Sequence, residues 1–157
     1  MNSKTSLPFE KNRKRIVLKK NKTDKKYGKK PIERSVEELL ENSFINIDKP
    51  KGPTSHQVDA WIKKILNTKK IGHSGTLDPN ATGVLPIGVG SATKLLQFLL
   101  PAGKEYIALI KLHKDAGKKN IKEECSGFVG KITQMPPVRS AVKRRKRKRN
   151  IYYLNIL

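Results

Sequence analysis

Gly72-His73-Ser74-Gly75-Thr76-Leu77-Asp78-Pro79-Asn80-Ala81-Thr82-Gly83 is the stretch around which the rest of the chain arranges itself. It holds three glycines, one proline, one histidine and a single carboxylate, and almost nothing suited to a core. Glycine reaches backbone torsions that other residues avoid, and Asp-Pro is a rigid turn element. The segment therefore reads as a loop that holds Asp78 in a fixed position. Apolar runs at residues 44–47 and 84–89 read as strands that anchor its two ends. A carboxylate on an ordered loop is a candidate for chemistry. Taken alone, its commoner role is a local turn hydrogen bond.

Charge indicates the kind of partner. The 157 residues contain 35 Lys and Arg against 13 Asp and Glu, a net charge of +22. That excess goes beyond ordinary solubility and points to a polyanion. Residues 1–30 hold twelve basic and two acidic side chains, net +10. Residues 139–149 hold eight basic side chains and no acid, so the two clusters together account for +18. Either cluster alone could be a solvated tail or a targeting signal. Two clusters flanking a folded middle favour nucleic acid.

Other classes are set aside by simple counts. Cys125 is the single cysteine, so no intramolecular disulfide and no multi-cysteine zinc site is expected. His56, His73 and His113 lack metal-ligand spacing, and neither a structural metal nor a cofactor is expected. The apolar run at 95–100 is too short for a membrane span. The basic N-terminus lacks the apolar core of a signal peptide. The expectation is a soluble intracellular protein.

Residues 1–30 read as a basic arm that orders only on binding. Ser35-x-x-Glu38 is a capping box that starts a short helix to about Glu41, and residues 44–47 follow as a strand. Asp48-Lys49-Pro50-Lys51-Gly52-Pro53 is a stiff turn. Thr54-x-x-Gln57 is a second capping box, opening an amphipathic helix with Val58, Trp61, Ile62, Ile65 and Leu66 on its apolar stripe. Trp61 is expected in the core. Beyond the Asp78 loop, Ser91 is expected to cap an apolar helix over 92–100. Residues 106–112, 128–135 and 151–157 read as strands, and 120–125 as a short helix. Helices and strands in this order imply an α+β domain around a mixed, mainly antiparallel sheet with packed helices. Gly88-Val89-Gly90-Ser91-Ala92-Thr93-Lys94 has neither the dinucleotide nor the Walker spacing. The chain stops at Leu157 inside an apolar run and reads as cut off.

Four motifs occur in a recognisable order: Phe44-Ile45-Asn46-Ile47-Asp48-Lys49-Pro50-Lys51-Gly52-Pro53-Thr54-Ser55-His56, the Gly72–Gly83 loop, Gly103-Lys104-Glu105-Tyr106, and Pro136-Pro137-Val138-Arg139-Ser140-Ala141-Val142-Lys143. In these the chain resembles the TruB/dyskerin pseudouridine synthases. It is most similar to the archaeal branch that works in box H/ACA guide-RNA particles. Tyr27-Gly28-Lys29-Lys30-Pro31-Ile32-Glu33-Arg34 and Leu112-His113 favour that branch over the bacterial tRNA enzymes. The resemblance runs from about residue 27 to the end.

The resemblance implies conversion of uridine to pseudouridine in RNA without a cofactor. In it Asp78 matches the catalytic aspartate, and both attack on the sugar and proton removal from it are open to a carboxylate. Tyr106 matches the aromatic that stacks on the target base. His73 matches a histidine near the flipped nucleotide, with RNA contact its expected role and general-base chemistry the alternative. Lys49, Pro50, Gly75 and Leu77 match residues that support the active-site loop. Lys51 either touches phosphate or is simply solvated. Arg139, Lys143, Arg144 and Arg145, extended by Lys146 and Lys148, match a basic segment suited to phosphate contact.

The expected partners are guide RNA, rRNA, tRNA as a further substrate, and the small H/ACA proteins, with no membrane. The expected location is the cytoplasm in an archaeal setting and the nucleolus in a eukaryotic one. Residues 31–157 match only the first part of the family's catalytic domain. Its second half, with an arginine that pairs with the aspartate, and its PUA domain have no counterpart. The expectation is a fragment, inactive alone. A non-catalytic RNA-binding or assembly module is the competing reading. A basic ribosomal-type protein would explain the charge but neither the Asp78 loop nor the Tyr106 motif.

Overall fold

The computed structural model describes residues 14, 16–22, 24, 26–138 and 143–157. They fall into two compact units, one of residues 19–104 and one of residues 105–157 with those up to 18. Both mix helices with antiparallel sheet.

In the 19–104 unit, a 3-10 turn at Pro31–Glu33 precedes α1 (Val36–Glu41). β1 (Phe44–Lys49), α2 (Ser55–Ile65), β2 (Ile71–His73) and β3 (Gly83–Val89) follow. Both helices start on the capping boxes. Ser35 Oγ accepts from the Glu38 amide and Thr54 Oγ1 from the Gln57 amide, each returned by the Glu or Gln side chain. Each box satisfies two amides that the first helical turn leaves without partners.

The strands lie in the order β1-β3-β2, both pairs antiparallel. Alternation sends Leu85, Ile87 and Val89 of β3 to one face, where all three are fully buried. Ile45 and Ile47 of β1 sit opposite Ile87 and Leu85. Val58, Leu85 and Ile87 form the core, with Ile45, Ile47, Ile62, Ile71 and Leu77 packed on it. Pro86 is tolerated within central β3 because β2 ends first. Its carbonyl and its missing N–H face the β2 side, where Ser74, just past the strand, donates to the carbonyl. Gly90 adopts φ +61, and a Cβ there would collide with the Glu41 carbonyl oxygen. Only glycine fits that turn.

Trp61 does not enter the core; it is 54% exposed. Val58 and Ile62, four residues apart, take the inward face of α2. Trp61 and Ile65 form the neighbouring row, which faces outward. The apolar segment after β3 is a 3-10 helix, Gly90–Phe98, beginning one residue before Ser91. Ser91 does not cap it; its hydroxyl donates to Asn42 Oδ1. Ala92 and Leu96 are its buried residues. β2 arises in glycine-rich sequence that reads as loop, because the exposed backbone edge of β3 offers it a partner.

The second unit holds α3 (Lys118–Ser126), β4 (Gly130–Gln134) and β5 (Arg147–Ile151), the strands pairing antiparallel. Two strand expectations fail here. Residues 106–112 form no strand, and Ile107 and Leu109 are almost wholly exposed. Apolar residues of high strand propensity still need a pairing edge, and none meets them among the described residues. The last strand lies at Arg147–Ile151 rather than 151–157. β4 begins at Gly130, opposite Ile151, so the ladder has nothing to pair with later residues. Arg147, Lys148 and Arg149 of the basic run are thereby strand rather than tail. Of the basic arm expected over 1–30, residues 1–13, 15, 23 and 25 lie outside the described residues. The remainder carries no helix or strand.

Candidate active site around Asp78

Antiparallel β2 and β3 pin the two ends of the loop that carries Asp78. Its middle is fixed from beneath. Ser55, fully buried at the start of α2, donates its hydroxyl to the Leu77 carbonyl at 3.1 Å. The same oxygen accepts from the Leu77 amide at 3.0 Å. The Leu77 side chain packs on the core. The residue before Asp78 is thus held by its backbone and by its side chain.

Lys49 fixes the other side. Strand alternation places it on the core face of β1 after Ile45 and Ile47, and it is fully buried. Its ammonium donates to the carbonyls of Pro50 at 3.0 Å, Pro79 at 3.4 Å and Ala81 at 2.9 Å. The Gly52 amide also donates to Pro79, at 2.8 Å, and the Ala81 amide closes a turn onto the Asp78 carbonyl at 3.0 Å. A buried cation thus finds three acceptors at close range, which offset its lost hydration. Gly75 holds φ +98, which lets the chain turn toward Leu77.

The Asp78 backbone is therefore held on both sides while its side chain stays exposed. Its carboxylate has no hydrogen-bond or ion-pair partner among the described residues. An ionised carboxylate without an internal partner keeps its lone pairs for a substrate, as nucleophile or as base. Clamping the backbone in advance removes much of the ordering cost such chemistry would carry.

His73 sits differently from a free contact residue. Its side chain is only 7% exposed, with Nδ1 2.6 Å from Asp59 Oδ2 and Nε2 3.2 Å from Thr76 Oγ1. Both ring nitrogens are engaged, so the imidazole braces the loop. The fold also brings His56 beside this pair, its ring edge to face with that of His73. One ligand atom from each of His56, Asp59 and His73 thereby lies within 4.8 Å of the others. Sequence spacing speaks against such a cluster, because spacing counts neighbours along the chain and β2 returns His73 to the face of α2.

Pro50 and Lys51 are exposed at the start of the turn. Tyr106 belongs to the other unit, where its ring is 74% exposed. Lys143, Arg144 and Arg145 are exposed just before β5, and the Lys143 carbonyl accepts from Arg147. Arg139 lies outside the described residues. Ser55 and Asp59 are the site residues that motif reading passes over. Ser55 follows a capping threonine, and its inward position at the helix start was the available signal. Asp59 stands three residues after His56, a spacing that puts both on one helix face.

Residues 63–154 match the TruB family pseudouridylate synthase (N terminal domain), and residues 2–59 match the DKCLD (NUC011) domain. The chain is 51% identical over 151 residues to a probable tRNA pseudouridine synthase B of Methanopyrus kandleri, covering 96% of this chain and 45% of that protein. Against the protein of the same description from Nanoarchaeum equitans it is 54% identical over 152 residues, covering 96% and 43%. Among solved structures, a Cbf5-Nop10-Gar1 complex aligns with TM-score 0.78 and 52% identity, over 87% of this chain and 42% of that one. An H/ACA RNP bound to a substrate RNA containing 2'-deoxyuridine aligns with TM-score 0.83 and 44% identity, over 97% and 46%. The chain spans less than half the length of these relatives.

Proposed function

Because this chain belongs to the TruB family of pseudouridylate synthases, we propose that it carries the catalytic-aspartate part of an enzyme isomerising uridine to pseudouridine in RNA. The observation that supports this most is the Asp78 carboxylate, exposed and without a partner among the described residues, on a loop clamped by Lys49 and Ser55. Asp78 acts on the sugar of a uridine that has left its stack. Tyr106 stacks on the displaced base, and the exposed Lys51, Lys143, Arg144 and Arg145, with Arg139, contact phosphates. His73 is given a bracing role in this reading, since both its ring nitrogens are already engaged.

The substrates are rRNA chosen by a guide RNA, with tRNA as a further one, and the protein partners are small H/ACA proteins. The relatives solved as a Cbf5-Nop10-Gar1 complex and as an H/ACA RNP bound to a substrate RNA support RNA and small proteins as partners. Residues 31–157 act as part of a catalytic domain and 1–30 as a basic arm, and the site of action is the cytoplasm in an archaeal setting or the nucleolus in a eukaryotic one. No helix among the described residues is long and apolar enough to cross a membrane.

The test is pseudouridine formation on guided rRNA and on free tRNA by residues 1–157. The chain is assayed alone and with the C-terminal portion of the Methanopyrus kandleri relative, beside Asp78→Asn. The expected result is turnover abolished by Asp78→Asn, with salt-sensitive RNA binding unchanged. Turnover that survives Asp78→Asn overturns the assignment. RNA binding without turnover in either setting supports a non-catalytic RNA-binding module, which the net charge of +22 also favours.

A further inference from the structure

His56 and Asp59 stand three residues apart on α2 and so share a face, and β2 delivers His73 to it. One ligand atom from each of the three lies within 4.8 Å of the others. The two imidazole centroids are 5.1 Å apart. Asp59 uses Oδ2 on His73, while its Oδ1 is buried with no hydrogen-bond partner among the described residues. A buried carboxylate oxygen without a donor is an unusual feature that a cation would satisfy.

We infer that His56, Asp59 and His73 form a binding site for one first-row divalent transition ion of the zinc class. The donor set selects that class. Two imidazoles and one carboxylate suit zinc and its neighbours, whereas calcium and magnesium require shells built mainly of oxygen. Three protein ligands would leave a fourth tetrahedral position for water. His73 joins through Nδ1 as a neutral imidazole, whose single ring proton stands on Nε2 and is donated to Thr76 Oγ1, 3.2 Å away. Thr76 lies two residues before Asp78, so the ion is tied to the Asp78 loop. The inference is independent of the pseudouridine reading.

The experiment titrates the whole chain with Co²⁺ alone, followed by visible absorption, and then displaces it with Zn²⁺. His56→Ala removes an exposed ligand outside the core, and Asp59→Ala removes the carboxylate. His113→Ala and Cys125→Ser control for binding elsewhere, and circular dichroism checks that each variant is folded. The wild-type chain is expected to bind one equivalent of Co²⁺, released by Zn²⁺. Both site variants lose saturable binding and both controls keep it. The inference is overturned by a wild-type chain that shows no saturable binding. Binding retained in His56→Ala, or lost in His113→Ala or Cys125→Ser, overturns it equally. If Asp59→Ala fails to fold, His56→Ala decides alone. RNA modification is not read in this experiment, so its failure leaves the proposed function untouched.

Discussion

Replacing Lys49 by methionine keeps most of the side-chain volume and removes only the ammonium, which isolates what that group does for the Asp78 loop. Three charge-assisted bonds disappear, to Pro50, Pro79 and Ala81. Bonds to charged groups contribute roughly 1.5–3 kcal/mol each. Their sum overstates the loss, because burying the ammonium itself costs several kcal/mol in desolvation, which the variant recovers. What remains is the cost of acceptors left without donors. The Pro79 carbonyl keeps the Gly52 amide at 2.8 Å, so the carbonyls of Pro50 and Ala81 are the ones orphaned. Water replaces the donor at exposed Pro50, so the half-buried Ala81 carbonyl carries the loss, a net destabilisation of roughly 1–3 kcal/mol.

Urea unfolding measures that value, and native-state hydrogen exchange locates it. The Gly52 and Ala81 amides are expected to exchange faster than the β1–β3 ladder, since the loop opens before the sheet. Lys49→Arg is not expected to rescue. A planar guanidinium is larger than an ammonium, and this site is fully buried. A Lys49→Met chain within about 0.5 kcal/mol of wild type, with unchanged exchange at Gly52 and Ala81, would refute the clamp.

Two further outcomes follow from the same structure. Trp61→Ala is expected to cost less than about 1.5 kcal/mol in a denaturant titration, since the residue is half exposed; a loss of roughly 3–5 kcal/mol would place the ring in a core. The hydrogen bond from Lys29 Nζ, followed by that from the Ser35 amide, holds the Glu38 carboxyl below its ordinary value. A lowered carboxylate pKa adds stability that is present above the unfolded value and is lost as pH falls through the folded one. Protection of the α1 amides should therefore decline on acidification, and Glu38→Gln should remove that pH dependence; equal profiles would sink the argument.

Local chemistry was readable in the chain itself. Both capping boxes act over three residues, and each is written in four consecutive letters. Apolar runs at 44–47 and 84–89 mark β1 and β3, although β1 continues through Asp48 and Lys49, which read as turn. Glycine and proline around Asp78 mark a loop, since those residues set backbone torsions wherever they stand. The motif order pointed to the family that residues 63–154 match.

Tertiary structure decided the contacts between distant parts of the chain. Ser55 meets Leu77 across 22 residues and Lys49 meets Ala81 across 32, and neither pairing has a local signature. β2 exists because β3 presents an edge, and residues 106–112 form no strand although their composition favours one. Trp61 lies outside the core because Val58 and Ile62 take the inward face of a short helix. His73 and Asp59, fourteen residues apart, become a 2.6 Å pair only after β2 docks beside α2. Torsional preference is a property of single residues and short windows, so it can be read directly. Pairing depends on which edge or face is free once the chain has closed on itself, and only the folded state specifies that.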